Sequence, residues 1–384
     1  MKLSSLLLSS LLVIPSVTAF PFEPIKVLQL GEDEIISVKE SDKWSLLRRG
    51  IKFIDITKYH NKEAKLSLPF LNKKPSETVV PVYEYPTNVT HSKLVNSITS
   101  QIDKGSMHEN LSKLTSFFTR YYKSETGFQS AQWLSTKINE IMSKLPEDKY
   151  SIEHIDHKDW KQFSIIVRIH GSETPESIVV MGSHQDSINL LLPSILPAPG
   201  ADDNGSGTVT NLEALRLYVE HYLSEGNAPL NTIEFHFYSA EEGGLLGSLD
   251  VFTQYAALEK KVVAMLQQDM TGYVMDPEDE HVGVITDYTT PGLTDFIKLI
   301  IDSYLAIPYV ETTCGYACSD HGSATKNGFP ASFVIEGEFK KTNKYIHSTM
   351  DTLDRLSFNH MAEHVKIVVG SIIELGDWKF TTHV

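Results

Sequence analysis

Residues 177–187 read Ser177-Ile178-Val179-Val180-Met181-Gly182-Ser183-His184-Gln185-Asp186-Ser187. An unbroken apolar run that ends in small and then polar residues is the pattern of a strand buried on both faces, emerging at the edge of a sheet. In an extended chain, residues two apart share a face, so His184 and Asp186 can act on one point. A lone His-x-Asp is weak on its own, and its weight depends on the rest of the chain.

The same pattern recurs. Phe163 to Ile169, Thr232 to Tyr238, Val262 to Leu266 and Ala331 to Ile335 are short apolar runs ending in polar clusters, separated by helical stretches. Between Ser92 and Leu145 the period is helical instead, with Leu94, Ile98 and Ile102, then Leu111 and Leu114, then Leu134, Ile138 and Ile141. Strands alternating with helices predict an α/β fold: a mostly parallel, mixed central sheet with helices on both faces. In such sheets the site lies beyond the carboxyl ends of the strands.

Composition bounds the rest. The 384 residues are 41 % hydrophobic and 22 % charged, an ordinary globular balance. Acidic side chains outnumber basic ones by 49 to 34, and the formal charge of -15 repels phosphate backbones and anionic membranes. Nucleic acid and membrane are therefore not expected partners. Nothing in the composition implies a partner protein either, and the expected state is a monomer.

Residues 1–19 carry Lys2, an apolar run interleaved with serine, Pro15, and the small-residue end Val17-Thr18-Ala19, which reads as a secretory signal. The expected location is extracellular. Asn88-Val89-Thr90 and Asn110-Leu111-Ser112 are glycan acceptor sequons, consistent with export, and Asn204-Gly205-Ser206 is read as a chance match. Residues 20–87, charged and proline-punctuated, read as a pro-region ahead of a single catalytic domain at 88–384. Arg48-Arg49 and Lys73-Lys74 are dibasic processing candidates, and the alternative is that this stretch belongs to the catalytic domain.

Four of the strand-like runs lead into residues able to hold a metal. After His184 come Gly200-Ala201-Asp202-Asp203-Asn204-Gly205-Ser206-Gly207, acids and glycines in a tight turn opening a helix near Thr208, with Asp203 placed to bridge two cations. Taken alone, that segment would read as a turn with a capping serine. The run ending at Tyr238 leads into Ser239-Ala240-Glu241-Glu242-Gly243-Gly244, where one carboxylate can ligate metal while its neighbour takes a proton from the attacking water. Val262 to Leu266 leads to Asp269, and the loop after Ile335 carries Tyr345-Ile346-His347-Ser348. Two imidazoles and three carboxylates suit zinc, and they divide into two three-ligand groups sharing one carboxylate.

On these motifs the sequence, from about Tyr85 to Lys379, resembles the M28-class dizinc aminopeptidases, above all the secreted leucine aminopeptidases of fungi. The resemblance implies two Zn2+ per chain, one held by His184 and Asp269, the other by Glu242 and His347, with Asp203 bridging. It further implies Glu241 as general base, Asp186 as the acid orienting His184, and a cis peptide at Asp203-Asn204. The segment Thr313-Cys314-Gly315-Tyr316-Ala317-Cys318-Ser319-Asp320-His321 also looks like the family's, which implies a Cys314–Cys318 bridge that aims Tyr316 at the developing oxyanion. A two-cysteine metal site is the competing reading, and export to an oxidising compartment argues against it.

The implied activity is release of N-terminal residues from peptides with a free amino terminus. Met270, Ile346, Phe333 and Phe339 fall at or near the family's apolar pocket, which implies leucine or another large hydrophobic residue at the substrate's amino end; ordinary core is the alternative for these four. Two rival functions stand beside this one. A glutaminyl cyclase of similar fold would use one zinc, and a non-catalytic ectodomain would have lost the site.

Overall fold

The computed structural model describes residues 23–31, 34–60 and 82–383. Residues 1–19, expected to be a secretory signal, and the whole of 61–81, which includes Lys73-Lys74, lie outside the described residues. Strands β1 (Ile25–Gln29), β2 (Ile35–Lys39) and β3 (Ile54–Asp55), with helix α1 (Glu40–Arg48), form a small antiparallel layer in the order β2-β1-β3. Strand β4 (Val82–Tyr83) follows, then α2 (Ser92–Thr99), α3 (Lys104–Thr115) and α4 (Glu125–Met142), where the helical periodicity predicted helices.

The body is an eight-stranded sheet. Its strands are β5 (Tyr150–Ile155), β6 (Ser164–Ile169), β7 (Thr174–His184), β8 (Asn231–Tyr238), β9 (Lys261–Gln268), β10 (Val282–Ile285), β11 (Tyr309–Thr312) and β12 (Ala331–Ile335). Between and after them lie α5 (Gly207–His221), α6 (Leu246–Ala257), α7 (Pro291–Tyr304), α8 (His321–Lys326) and α9 (Phe358–Gly376), and a short β13 (Thr382–His383) pairs with β4.

The strand order is β11-β10-β12-β9-β7-β8-β6-β5. The central run β12-β9-β7-β8 is parallel throughout, whereas β6 runs antiparallel to both its neighbours and β10 antiparallel to β12. This is the expected mixed sheet. The strands without a forecast, β5, β10 and β11, lie toward the two edges. The outermost pair, β5 and β11, is largely half-exposed and lacks the continuous apolar run that marks a central strand.

Strand alternation builds the two-sided core. Val179 and Met181 pack into the cluster that holds Val209 and Leu212 of α5 and Val365 and Val368 of α9. Their neighbours Ile178 and Val180 point the other way, into a cluster with Val251 and Phe252 of α6. Each such side chain contributes roughly 1.5–3 kcal/mol when fully buried. The consequence for function is positional: β7, β8, β9 and β12 all end on the same edge of the sheet.

Candidate metal centre

At that edge the five ligand candidates converge. His184 is the last residue of β7, Glu241 and Glu242 form the turn after β8, Asp269 directly follows β9, Asp203 sits in the turn before α5, and His347 lies in the loop after β12. Asp203 is placed between the two imidazoles. Its Oδ1 is 3.1 Å from His184 Nε2 and its Oδ2 is 2.9 Å from His347 Nε2. Asp269 Oδ1 lies 3.4 Å from His184 Nε2, and Glu242 Oε2 lies 3.0 Å from His347 Nε2.

Two triads result, His184-Asp203-Asp269 and Asp203-Glu242-His347, each with ligand atoms within 4.8 Å of one another. Their chemistry fits zinc, because imidazole and carboxylate are its usual partners and three protein ligands leave a fourth position open. Two orphaned atoms support the fit. Asp269 Oδ1 and Glu242 Oε1 are buried without a hydrogen-bond partner, a costly state for a carboxylate that a cation relieves.

The electrostatics agree. Burial opposes protonation of His184, but the charges of Asp269 and Glu241 and hydrogen bonds with Asp186 and Asp203 outweigh it and raise its pKa well above the imidazole range. Burial likewise opposes His347, which Glu242 and Asp203 nevertheless lift to about 9. Both imidazoles sit in a pool of negative charge that favours a cation. Burial, reinforced by the like charges of Glu242, Asp320 and Asp269, holds the Glu241 carboxyl well above its ordinary range against the opposing charge of His184.

Asp186 ties these parts together. Its carboxylate accepts the backbone N–H of Glu241 at 3.0 Å and of Glu242 at 3.2 Å, and lies 3.4 Å from His184 Nδ1. The same Nδ1 is 3.2 Å from the Asp186 carbonyl oxygen, so backbone and side chain share the ring's second nitrogen. Backbone geometry marks the site as well. Ala240, Leu245, Met270 and His347 all have φ between 55° and 59° without being glycine, a conformation that concentrates where function over-determines the chain. Gly200 has φ 54°, and a Cβ there would come within 2.6 Å of the Asp203 carbonyl oxygen.

The peptide between Asp203 and Asn204 is cis. Asn204 itself is fully buried, in keeping with reading its sequon as chance, whereas Asn88 is exposed and Asn110 half-buried on α3. Cys314 and Cys318 are joined by a disulfide. The loop between them is further shaped by Asp287, whose carboxylate accepts the N–H groups of Cys314 and Gly315 at 3.0 and 2.7 Å. Tyr316 is half-buried there, edge-on to Phe339 at 6.3 Å between ring centroids. Met270, Phe333, Phe339 and Ile346 gather with Ile285 and the two cysteines into one apolar cluster, adjoining Asp269 and His347 in sequence.

Four positions of the site were not foreseen. Arg120 is fully buried and donates to the carbonyl oxygens of Gln185 and Gly200, both at 2.8 Å, and of Pro199, bracing the Asp203 turn. Ser319 donates to Asp269 Oδ2 at 2.6 Å. Asp351 accepts from the Asp203 turn, and Lys52 from the N-terminal layer lines a small cavity with Glu241, Glu242 and Tyr316.

The model of peptidase family M28 matches residues 164–372. The chain is 68 % identical over 94 % of its length to a probable aminopeptidase of Saccharomyces cerevisiae, covering 95 % of that protein. It is 49 % identical to leucine aminopeptidase 1 of Uncinocarpus reesii, over 91 % of this chain and 88 % of the relative. This chain belongs to peptidase family M28. Among solved structures, the LapA aminopeptidase of Legionella pneumophila superposes with a TM-score of 0.78 at 30 % identity, covering 93 % of this chain and 95 % of that one. This M28 chain is a peptide-bond hydrolase of the aminopeptidase type.

Proposed function

We propose that this M28 peptidase is a secreted dizinc aminopeptidase that releases N-terminal leucine or other large hydrophobic residues from peptides. The observation that carries the reading is the placement of one carboxylate, Asp203, between two imidazoles, each completed by a second acid. His184 and Asp269 would hold one ion, Glu242 and His347 the other, and Asp203 would span both. Zinc, when bound, lowers the pKa of water to about 7 and polarises a carbonyl oxygen.

The chain's own residues do the rest. Glu241, held by its backbone N–H on Asp186, takes the proton of the attacking water and delivers it to the departing amine, so its carboxylate is restored at the end of the cycle. Tyr316 donates toward the carbonyl oxygen as negative charge develops there. Met270, Phe333, Phe339 and Ile346 receive the apolar side chain, and the surplus acid near the ions receives the free α-amino group. That contact selects chain ends over internal bonds.

The N-terminal layer supports a pro-region reading for 20–87. It docks on the catalytic turn itself: Asp55 N–H donates to the Gly244 carbonyl at 3.0 Å, and Lys43 Nζ contacts Gly243 O at 2.9 Å and Asp55 Oδ2 at 2.6 Å. Lys52 lines a small cavity with Glu241, Glu242 and Tyr316; burial disfavours its ammonium, but without metal the fields of Tyr316, Glu242, Glu241 and Asp203 outweigh that cost and raise its pKa. A primary amine presented to Glu241 and Glu242 occupies the approach that a substrate's amino terminus would take.

Two triads rather than one favour the peptidase over a single-zinc cyclase, and the presence of Glu241 disfavours a non-catalytic ectodomain. The test is to purify the secreted protein, count zinc, and assay leucyl, prolyl and glutaminyl substrates before and after chelation. Hydrolysis of the leucyl substrate that stops on chelation supports the reading; pyroglutamate formation with one zinc per chain overturns it.

A further inference from the structure

Three consecutive backbone N–H groups, those of Ala201, Asp202 and Asp203, all point at one residue. Ala201 donates to the Asp351 carbonyl oxygen at 3.2 Å, Asp202 to its Oδ1 at 3.0 Å and Asp203 to its Oδ2 at 3.1 Å. Asp351 is fully buried and stands four residues after His347 on the same loop. One short segment therefore supplies His347 to one triad and grips the backbone of the carboxylate that both triads share.

A second grip faces the other triad. Asn204 Nδ2 donates to the Gln268 carbonyl at 2.9 Å, and its Oδ1 accepts the Met270 N–H at 3.2 Å, so its amide spans the two residues flanking Asp269. The Asp203 turn is thus registered to the Asp269 strand end on one side and to the His347 loop on the other. Arg120 holds its entrance through the Gly200 carbonyl.

We propose that Asp351 is a positioning residue that fixes the distance between Asp203 and His347, and so sets the affinity of the Asp203-Glu242-His347 site without ligating metal itself. A carboxylate is needed there because it accepts two N–H groups at once; an asparagine amide accepts one and turns an N–H toward the other. The pair separates by relaxation of the 345–351 loop. Asn204 leaves the His184-Asp203-Asp269 site in register, so the effect falls on one site.

This inference rests on the dizinc reading, and the experiment separates the two. Full-length wild type, Asp351→Asn and Asp351→Glu are titrated with a chelator, zinc is counted at each step, and anomalous-scattering maps identify which position empties. The wild type is expected to hold two zinc ions. Asp351→Asn is expected to release the His347-side ion at a chelator concentration about 10–100-fold lower, the usual loss when a residue supporting a metal ligand is changed. The other ion is expected to leave at its wild-type chelator threshold, and the metal-free variant to melt only a few degrees lower, the cost of one backbone N–H left without an acceptor. Asp351→Glu, which keeps both acceptors on a longer arm, is expected to recover part of the loss, and it serves as the test variant if Asp351→Asn does not fold. Release of both ions together, or release at the wild-type threshold, overturns the proposal. A wild type that binds no zinc overturns the dizinc reading instead.

Discussion

The carboxylate of Asp186 accepts the backbone N–H of Glu241 at 3.0 Å while lying 3.4 Å from the ring of His184. One side chain thereby sets the position of the proposed base and orients a proposed ligand. Replacing it with alanine frees both. Asp186→Ala is expected to lower kcat by about 10–100-fold while changing KM little, because the substrate-binding surface is untouched. Steady-state kinetics on a leucyl substrate, with zinc counted in the same sample, check this; a change in KM alone would count against the assignment.

Glu241 and Asp203 separate base from ligand. Glu241→Ala is expected to keep both ions and lose about 10²–10⁴-fold in turnover, the range for a general base. Asp203→Ala removes the carboxylate shared by both triads and is expected to lose zinc as well as activity. Zinc analysis of the two variants decides it, and equal loss of metal would mean that base and ligand have been exchanged.

The N-terminal layer predicts latency. Full-length protein is expected to be markedly less active than protein trimmed beyond the 20–87 stretch, and Lys52→Ala is expected to raise the activity of the full-length form. Equal activity of full-length and trimmed protein would refute the pro-region reading.

Acid is expected to loosen that layer. Burial works against the Glu40 carboxylate, but Lys123, Lys43 and Lys26 hold its pKa at about 2 in the docked state, against an ordinary 4.5. Lys26 and Lys43 belong to the same layer as Glu40, so the share that reports docking is the Lys123 contact at 2.9 Å; because that contact lowers the Glu40 pKa, its contribution is present above 4.5 and is lost as pH falls toward 2. Protection of residues 40–59 against hydrogen exchange, after division by the intrinsic amide rate at each pH, should therefore fall through that window in the wild type, and Glu40→Gln should show lower protection at neutral pH and little change across it. The opposite slope would show that other groups control docking.

The apolar cluster predicts selectivity. Phe339→Ala and Met270→Ala are expected to cost roughly 1–3 kcal/mol in kcat/KM for leucyl substrates, and less for alanyl ones. Parallel losses on both substrates would assign these side chains to the core alone.

Much of this was legible in the sequence because its signals are local. Apolar runs that end in acids or histidines marked strand ends, and parallel strands carry those ends to one edge, so His184, Asp203, Glu242, Asp269 and His347 could be proposed as a set. The supporting residues carry no such local signal. Asp351 meets the Asp202 amide across 149 residues of chain, and Lys43 meets Gly243 across 200. A buried aspartate in a loop looks like a solvated one until its partners are in place. The outermost strands escaped for a related reason: half-exposed and short, β5 and β11 bury too little on each face to write a clear pattern.

The paired triads stand or fall on metal content measured alongside turnover. Elemental analysis of the purified enzyme, followed by stepwise zinc return to chelated protein with leucyl hydrolysis recorded at each step, is expected to show two zinc ions per chain and activity restored by zinc. Saturation at one ion with full activity, or hydrolysis that persists without metal, would contradict it.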